Sequence, residues 1–351
     1  MSIRNHAANR AAASPATIED VAIGAGVSMA TVSRALRGLP NVAEATRERV
    51  LAVSQALNYR PDPHASRLAA GRTHAVGMAV PWLGRWYFSQ VVSGARDAFA
   101  AAGYDLLLFG VGSGDERKRF VHEWGVLDKR VDGLLLVDLR LDAAELVAVR
   151  QAGTKVASVG DRYDEFPSVT VDNRSGARIA VQHLLNLGHR DIGLIGDIPG
   201  LLPFSVPSDR RAGWFEALTD AGIEPRTDLE VSGRFTVDGG HRAMTKLLAI
   251  RHRPTAVFAM SDEMAMGAIK AVRDHGLSVP DDVSIVGFDG HELAEVMDLT
   301  TIVQPVVESG RKAGEFLLKT LTGDPEIPHE TMPTELVARR TSAPLRGKVA
   351  G

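Results

Sequence analysis

The sequence predicts an α/β protein in which a small all-α N-terminal part precedes a larger, two-lobed region of parallel strands and helices. Two patterns carry this prediction. Short amphipathic helices with tight breaks fill residues 17–60, and from Thr73 onward short apolar runs alternate with helical patterns. A chain of 351 residues is too long for one hydrophobic core, so we expect two or three domains.

Composition restricts the class of protein. Hydrophobic residues make up 45% and charged residues 24% of the chain, as in ordinary soluble proteins. We find no apolar run of about 18 residues that would predict a membrane span, and no secretory signal in residues 1–15. Cysteine is absent, which excludes disulfides and cysteine-based metal sites. We expect a cytoplasmic protein, although a chain without cysteine would also suit the periplasm.

Charge is distributed unevenly along the chain. Residues 1–72 contain nine Lys and Arg against five Asp and Glu, a net charge of +4, whereas residues 73–351 carry a net charge of −7. A basic segment attached to an acidic body is typical of a protein whose first domain meets phosphate groups.

Residues 17–36 have the pattern of two short helices joined by a tight turn, after a leader (residues 1–16) that we predict to be disordered. Thr17 is a favourable N-cap for the first helix, and we expect Gly24-Ala25-Gly26 to end it. Ser28 is a favourable N-cap for the second. Helices this closely connected cross steeply, and the second can enter a DNA major groove with its N-terminal half. We predict DNA contacts from Thr17, Ser28, Met29, Ala30, Thr31, Ser33 and Arg34.

Five motifs in this segment resemble the headpiece of the lactose/galactose-repressor family. They are Thr17-Ile-x-Asp-Val-Ala22, Ala25-Gly-Val-Ser28, Ala30-Thr-Val-Ser-Arg34, Thr46-Arg-x-Arg-Val50 and Leu57-Asn-Tyr-Arg-Pro61. The Met29-Ala30 pair is similar to that of the catabolite-control branch. The resemblance implies that these two residues and Arg34 read operator bases. Because Ala30 offers only a methyl group and backbone, we expect Met29 and Arg34 to carry most of the direct readout, with Arg34 on a guanine edge or a phosphate.

Residues 62–72 are predicted to form a hinge helix and linker between the headpiece (residues 17–61) and the body. Asp62 and Pro63 suit the first turn of a helix, but two turns are too short to be stable alone in water. The helix therefore needs a partner such as DNA or its symmetry mate. The family resemblance places Leu68 as an apolar wedge in the minor groove. The alternative is a linker leucine packed on the body.

The body, residues 73–343, is predicted to contain eight strands and seven helices. The strands are residues 75–80, 105–109, 133–137, 155–159, 191–195, 256–260, 284–288 and 301–303. The helices are residues 91–102, 143–152, 174–187, 208–221, 239–250, 263–275 and 306–321. Repeated helix–glycine–strand phrases favour two similar lobes, residues 74–171 with 304–333 and residues 172–303 with 334–343, before a tail at 344–351.

Polar and aromatic residues follow the predicted strands, where parallel sheets bind ligands. This mixture suits a polyhydroxylated molecule. Residues 74–343 resemble the sensor of the same family, which has the periplasmic sugar-binding fold. The resemblance implies effector contacts by Tyr87, Phe88, Asp161, Arg210, Phe235, Ser261, Asp289 and Gln304. Arg210 and Asp289 could instead form a structural ion pair between the lobes. Trp82 and Trp86 depart from the family pattern and belong to the pocket mouth, a dimer interface or the core.

The prediction for function is a homodimeric transcription regulator, a repressor, that binds near-palindromic double-stranded DNA under the control of a small molecule. The family resemblance favours a sugar, with a purine, a nucleoside or a phosphoprotein partner as alternatives. The body alone would also suit a solute-binding protein for transport, but the headpiece and the missing signal peptide argue against it.

We predict no enzymatic activity, cofactor, metal site or membrane association. Gly110-Val-Gly-Ser-Gly114 follows a strand as phosphate-binding loops do, but Asp115 stands where a third glycine is needed. His122-Glu123 and His291-Glu292 lack the second histidine of a zinc helix.

Overall fold

The computed structural model describes residues 16–59, 73–112, 115–124, 130–197 and 205–345. The chain divides into two compact units, residues 1–73 and 74–351. The predicted leader and tail lie mostly outside the described residues, and the hinge with Leu68 lies wholly outside them. Within the described ranges, no helix has the length and hydropathy needed to cross a membrane.

The first unit contains three helices, α1 (Ile18–Ala25), α2 (Met29–Leu36) and α3 (Glu44–Ala56). The predicted break at Gly24-Ala25-Gly26 falls at Gly26, since α1 continues through Gly24 and Ala25. A Cβ atom at Gly24 would lie 2.7 Å from Cγ1 of Val53 on α3, so glycine permits the close approach of the two helices. Gly26 ends α1 in the left-handed conformation, with φ of 64°. The small core comprises Val21, Ala22, Ala25, Val32, Ala35 and Val50.

Two arginines of α3 donate hydrogen bonds to carbonyl oxygens at or just beyond the C-terminal ends of α1 and α2. Arg47 donates hydrogen bonds of 3.0 Å to the carbonyl oxygens of Ala35 and Leu39, at the C-terminus of α2. Arg49 donates one of 2.9 Å to the carbonyl oxygen of Ala25, the last residue of α1. Since the last carbonyl groups of a helix lack partners within it, these contacts explain the Arg-x-Arg spacing on α3.

In the described part of the second unit, the strands form two six-stranded sheets. The strands of the first sheet are β1 (Ala75–Val80), β2 (Asp105–Gly110), β3 (Gly133–Val137), β4 (Lys155–Val159), β5 (Ser168–Val171) and β11 (His329–Met332), in the order β2-β1-β3-β4-β5-β11 and all parallel. Those of the second are β6 (Ile192–Gly196), β7 (Glu230–Ser232), β8 (Ala256–Ala259), β9 (Ser284–Asp289), β10 (Thr300–Val303) and β12 (Glu335–Val337), in the order β7-β6-β8-β9-β10-β12, with only β12 antiparallel to its neighbour.

Helices connect the strands of both sheets. They are α4 (Trp86–Ala101), α5 (Asp115–His122), α6 (Ala143–Ala152), α7 (Asn173–Asn186), α8 (Val206–Asp220), α9 (Val237–Leu248), α10 (Asp262–Asp274), α11 (Leu293–Val296) and α12 (Val306–Leu321). The central strands β1, β3, β8 and β9 are buried along their whole length, as expected for parallel strands covered on both faces.

The chain passes between the two sheets three times. It leaves the first sheet after Val171, returns to it after Val303, and crosses again between Met332 and Glu335. Each sheet therefore contains strands that are distant in sequence. The carboxyl ends of β5 and β10 feed directly into these crossings, so residues just after them lie between the lobes.

Candidate functional site

The residues predicted to contact DNA lie at the starts of α1 and α2 and along α2. The Thr17 hydroxyl accepts a hydrogen bond of 3.3 Å from the Asp20 amide, and the Ser28 hydroxyl accepts one of 3.2 Å from the Thr31 amide. Both side chains thus serve as N-caps. Their contacts with phosphate stay a prediction.

The start of α2 is the exposed part of this helix. Met29 is 52% exposed and Ala30 is also exposed, whereas Ser33 and Arg34 are half-buried. Nη2 of Arg34 donates a hydrogen bond of 2.6 Å to the carbonyl oxygen of Pro40. Met29 is therefore exposed, while one donor of the Arg34 guanidinium is engaged within the protein. Base contacts by either residue stay a prediction.

A cleft lies between the two lobes, at the carboxyl ends of the strands. Seven of the eight predicted effector residues line it, namely Tyr87, Phe88, Arg210, Phe235, Ser261, Asp289 and Gln304. The other lining residues are Trp82, Arg85, Asp138, Val159, Gly160, Val169, Thr170, Val171, Asn173, Val206, Glu263 and Ser309. The structure thus brings most of the predicted residues to one place.

Asp161 is the predicted residue that does not line this cleft. The chain turns at Gly160, where φ is 98°, and places that glycine rather than Asp161 against the cleft. Asp161 is buried behind it, and its backbone carbonyl accepts a hydrogen bond of 2.8 Å from the Ser158 hydroxyl. Burial raises the pKa of the Asp161 carboxyl, against a smaller opposing effect of a hydrogen bond from Ser205.

Arg210 on α8 is the centre of a polar network in the cleft. Its side chain is 3% exposed, its Nε donates to Oδ1 of Asn173 at 2.8 Å, and its Nη1 donates to Oδ1 of Asp289 at 3.1 Å. Nη1 also bonds the carbonyl oxygen of Met260, and the guanidinium lies 3.5 Å over the Phe288 ring. Among the described residues, none accepts a hydrogen bond from Nη2, so this donor is available to a ligand.

Asp289 joins this network to the crossing between the lobes. Its Oδ1 accepts a second hydrogen bond, of 2.8 Å, from the side-chain amide of Gln304, which follows β10. Burial raises the pKa of Asp289, and the Arg210 charge opposes that rise. The residue has a φ of 119°, a backbone conformation rarely adopted outside glycine and often found at ligand sites.

Two tryptophans and an arginine close the mouth of the cleft. Trp82 lines the cleft, and the guanidinium of Arg85 lies 4.5 Å over its ring. Arg85 also donates to the backbone carbonyl of Phe235 in the opposite lobe. Trp86 stacks on His291 of that lobe. Both tryptophans also pack on the core of the first lobe, so their position combines the pocket-mouth and core alternatives. The dimer-interface alternative stays a prediction.

Sequence reasoning missed Asp138 and Asn173 in the lining, and it placed Glu263 at a strand end without selecting it as an effector contact. Asp138 follows a predicted strand directly, so the signal that selected Asp289 was present there too. Glu263 is close in sequence to the predicted Ser261, whose hydroxyl accepts a hydrogen bond of 3.3 Å from the Met264 amide and thereby caps α10. Ser261 accordingly has a structural role besides the predicted one.

The arrangement suits binding rather than a reaction. It combines a guanidinium, carboxylates, side-chain amides and hydroxyls with aromatic rings in a largely buried space, as ligand pockets do. In the described ranges, no group of three or more His, Cys, Asp or Glu is placed to hold a metal ion.

Comparison with known proteins gives the chain relatives along nearly its whole length. Residues 17–62 match the lacI family of bacterial regulatory proteins, and residues 181–342 match the periplasmic binding protein-like domain. The chain is 34% identical to catabolite control protein A of Priestia megaterium, over 86% of this chain and 92% of that protein. It is 36% identical to the HTH-type transcriptional repressor PurR of Erwinia tasmaniensis, over 93% of this chain and 97% of that protein.

Solved structures agree with these relatives. The lac repressor dimer bound to operator and the anti-inducer ONPF is 31% identical, with a TM-score of 0.80 over 94% of this chain and 100% of that chain. The complex of the transcriptional regulator CelR with cellobiose is 32% identical, with a TM-score of 0.69 over 93% and 99%. The similar proteins are transcription regulators rather than enzymes, and the predicted resemblance is confirmed. The chain belongs to the lacI family of DNA-binding transcription regulators, which join a helix-turn-helix headpiece to a ligand-binding sensor domain and function as dimers.

Proposed function

We propose that the protein is a cytoplasmic, homodimeric repressor whose affinity for a near-palindromic operator is controlled by a sugar bound in the cleft. The observation that carries the ligand assignment is the buried Arg210–Asp289 pair, in which Nη2 of the guanidinium has no acceptor among the described residues. Adjacent hydroxyl groups of a sugar can bond to such a pair, while Trp82 and Phe88 offer rings for its apolar face. A related regulator, CelR, has been solved with cellobiose.

The proposed DNA contacts are those of the N-terminal unit. Met29 and Arg34 read bases in the major groove, with Arg34 exchanging the Pro40 carbonyl for a base or phosphate. Thr17, Ser28, Thr31 and Ser33 face the phosphates beside the apolar contact of Ala30. A hinge at residues 62–72, with Leu68 as a wedge, lies outside the described residues and is proposed from the sequence alone.

Control by the ligand follows from the two-lobed body, with lobe limits of 74–171 plus 304–333 and 172–303 plus 334–343. A ligand bound between the lobes changes the angle between them and so the spacing of the two hinges in the dimer. Each headpiece then fits its half-site better or worse. Coupling of this kind is typically worth about 1–3 kcal/mol, or roughly a 5- to 150-fold change in operator affinity.

The test measures operator binding by fluorescence anisotropy, with DNA selected from a random pool and a panel that includes cellobiose, glucose, ribose and hypoxanthine. We expect one compound to change operator affinity, and we expect Arg210→Ala to lose that response while still binding DNA. Arg211→Ala is the matched control. Arg211 is the half-exposed neighbour of Arg210, pairs with Glu230 and does not line the cleft.

The proposal fails if Arg210→Ala keeps the full ligand response. Circular dichroism and thermal melting of both variants show whether they fold. If Arg210→Ala is unfolded, Arg210→Lys provides the test, because it keeps the positive charge beside Asp289 but loses the planar, multiple donors of the guanidinium. A change in operator affinity with hypoxanthine, and with none of the sugars, would contradict the sugar assignment.

A further inference from the structure

One carboxyl group in the cleft is left without a complete set of partners. Asp138 directly follows β3, lines the cleft and is 4% exposed. The nearby Tyr87 hydroxyl lowers the pKa of this carboxyl. Oδ1 of the carboxyl is buried and has no hydrogen-bond partner among the described residues. Buried carboxyl oxygens are normally bonded, so this atom calls for an explanation.

The backbone holds this carboxyl in place under strain. Asp138 has a φ of 44°, in the left-handed region that non-glycine residues rarely adopt. A Cβ atom on Gly160 would lie only 1.8 Å from Oδ1 of Asp138, so a side chain at position 160 would displace this carboxyl. Both residues line the cleft. Strained backbone at a residue that lines a cleft is often associated with ligand recognition.

The charges around the cleft show which ligands this carboxyl suits. The two cationic side chains in the described lining are both engaged by the protein. Arg210 pairs with Asp289, and Arg85 bonds a backbone carbonyl of the opposite lobe and is attracted by Glu263. Asp138 forms no ion pair with the described residues, and the cation that acts on it, Arg210, is already paired with Asp289. Nη2 of Arg210 is open to a ligand, but the charge of its guanidinium is already balanced by Asp289. An anionic ligand would therefore add negative charge that no cation of the described lining balances.

We propose that Asp138 is a recognition residue that accepts a hydrogen bond from a hydroxyl, N–H or ammonium group of the ligand, and that the cleft selects neutral or cationic ligands over phosphorylated or carboxylate-bearing ones. This inference rests on the proposed function, which places the ligand in the cleft. It adds a chemical class and a residue that the family resemblance did not supply.

Ionisation of Asp138 supports this assignment. Burial raises its pKa to about 8, to which Asp161 and Asp289 contribute repulsion, while Arg210 and the Tyr87 hydroxyl oppose the rise. A donor group on the ligand favours the ionised carboxylate, so ligand binding releases a proton below pH 8. If only the ionised form binds, affinity should increase roughly tenfold between pH 7 and pH 9.

Calorimetry with the full-length protein tests the selectivity. The probes are matched sets: glucose, glucosamine and glucose 6-phosphate, ribose and ribose 5-phosphate, and inosine with inosine monophosphate. In at least one set, we expect the neutral or amino compound to bind, and we expect the affinity of the phosphorylated compound to be at least about tenfold lower. A phosphorylated compound that binds as tightly as its parent would overturn the inference.

Two variants test the residue itself. Asp138→Asn keeps the size of the side chain and one acceptor oxygen but cannot ionise, so we expect weaker binding of the selected probe and loss of the rise in affinity with pH. Asp97→Asn is the control, an exposed acid in the same lobe that pairs with Arg96. Unchanged affinity and pH dependence in Asp138→Asn would overturn the inference.

Thermal melting decides the case in which no probe binds. Because the raised pKa makes ionisation unfavourable in the folded state, wild-type stability should fall from pH 6 to pH 9 relative to Asp138→Asn. A variant that is less stable than wild type throughout would show that the carboxyl serves the fold, and would overturn the inference. Selective binding without any effect on operator affinity would contradict the proposed function but support this inference.

Discussion

Trp86 stacks on His291 across the mouth of the cleft, with ring centroids 4.6 Å apart and ring planes inclined by 28°. Trp86 begins α4 beside the first sheet, and His291 follows β9 of the second. The preceding residue, Arg85, donates a hydrogen bond of 2.9 Å to the carbonyl oxygen of Arg234, also in the second lobe. Two adjacent residues, the N-cap and the first residue of α4, thus contact the second lobe at the cleft mouth.

Trp86→Ala should weaken ligand binding by opening this contact. A stacked aromatic pair contributes about 0.5–1.5 kcal/mol, so we expect affinity to fall roughly two- to tenfold, mainly through faster dissociation. Stopped-flow measurement of dissociation of the compound found in the operator assay checks this. Trp86→Phe, which preserves a stacking ring, should behave much more like wild type. Equal dissociation rates for wild type and Trp86→Ala would show that the stack does not slow the release of the ligand.

Met29→Tyr should change the preferred operator half-site. Met29 is 52% exposed at the start of α2, and a tyrosine there replaces an apolar contact by a larger ring with a hydrogen-bonding hydroxyl. Selection from a random DNA pool, followed by sequencing, measures the change. The contribution of one base contact, about 1–3 kcal/mol, predicts a roughly 5- to 150-fold shift in relative affinity.

Leu51→Tyr is the control for this substitution. Leu51 is likewise an exposed apolar residue of the N-terminal unit, at 42%, but it lies on α3. We expect this variant to select the same half-site as wild type. A Met29→Tyr protein that also selects the wild-type half-site would refute the assignment of base readout to Met29.

His189 should make the stability of the protein sensitive to acid. Its ring is buried, with Nδ1 3.0 Å from the Thr255 hydroxyl and Nε2 3.1 Å from the carbonyl oxygen of Ala343. Burial lowers the pKa of His189 below its usual 6.5, so the folded state binds fewer protons than the unfolded state. The stability is therefore complete above pH 6.5 and is lost as the pH falls through the folded-state pKa.

Urea denaturation at pH 5, 6 and 7.5 checks this prediction. We expect the unfolding midpoint of wild type to fall toward pH 5, and we expect His189→Asn to show a shallower decline from a lower starting stability. His252→Asn, at an exposed position, should retain the wild-type slope. An identical slope in wild type and His189→Asn would mean that other groups cause the acid sensitivity.

Local sequence patterns predicted the longer elements well and the shortest strands poorly. The strand at residues 75–80 and the helix at residues 306–321 have the predicted bounds, because long apolar periodicity marks buried elements. The strands β5, β7, β11 and β12 were not predicted. Each has three or four residues, which is too few for a pattern to emerge, and they form through pairing with strands distant in sequence.

Among the residues at strand ends, the sequence predicted some cleft residues correctly and missed or misplaced others. Arg210 and Asp289 were predicted as cleft residues because strand ends converge in parallel sheets, and the structure places them 3.1 Å apart. Asp161 was predicted on the same grounds but lies behind Gly160. Asp138 was missed although it follows a strand. The direction of a side chain after a strand depends on backbone torsions that the sequence pattern does not specify.

Helix caps, a tight turn and an apolar face over residues 17–60 are local signals, and they were sufficient to predict the class of the protein and its helix-turn-helix fold. The construction of the cleft depends instead on contacts between distant parts of the chain. Arg85 bonds Arg234, Trp86 stacks on His291, and the unsatisfied oxygen of Asp138 lies against Gly160. The partners in each of these contacts are more than 20 residues apart in the sequence. Such contacts arise when distant segments meet in the folded chain, which no local pattern encodes.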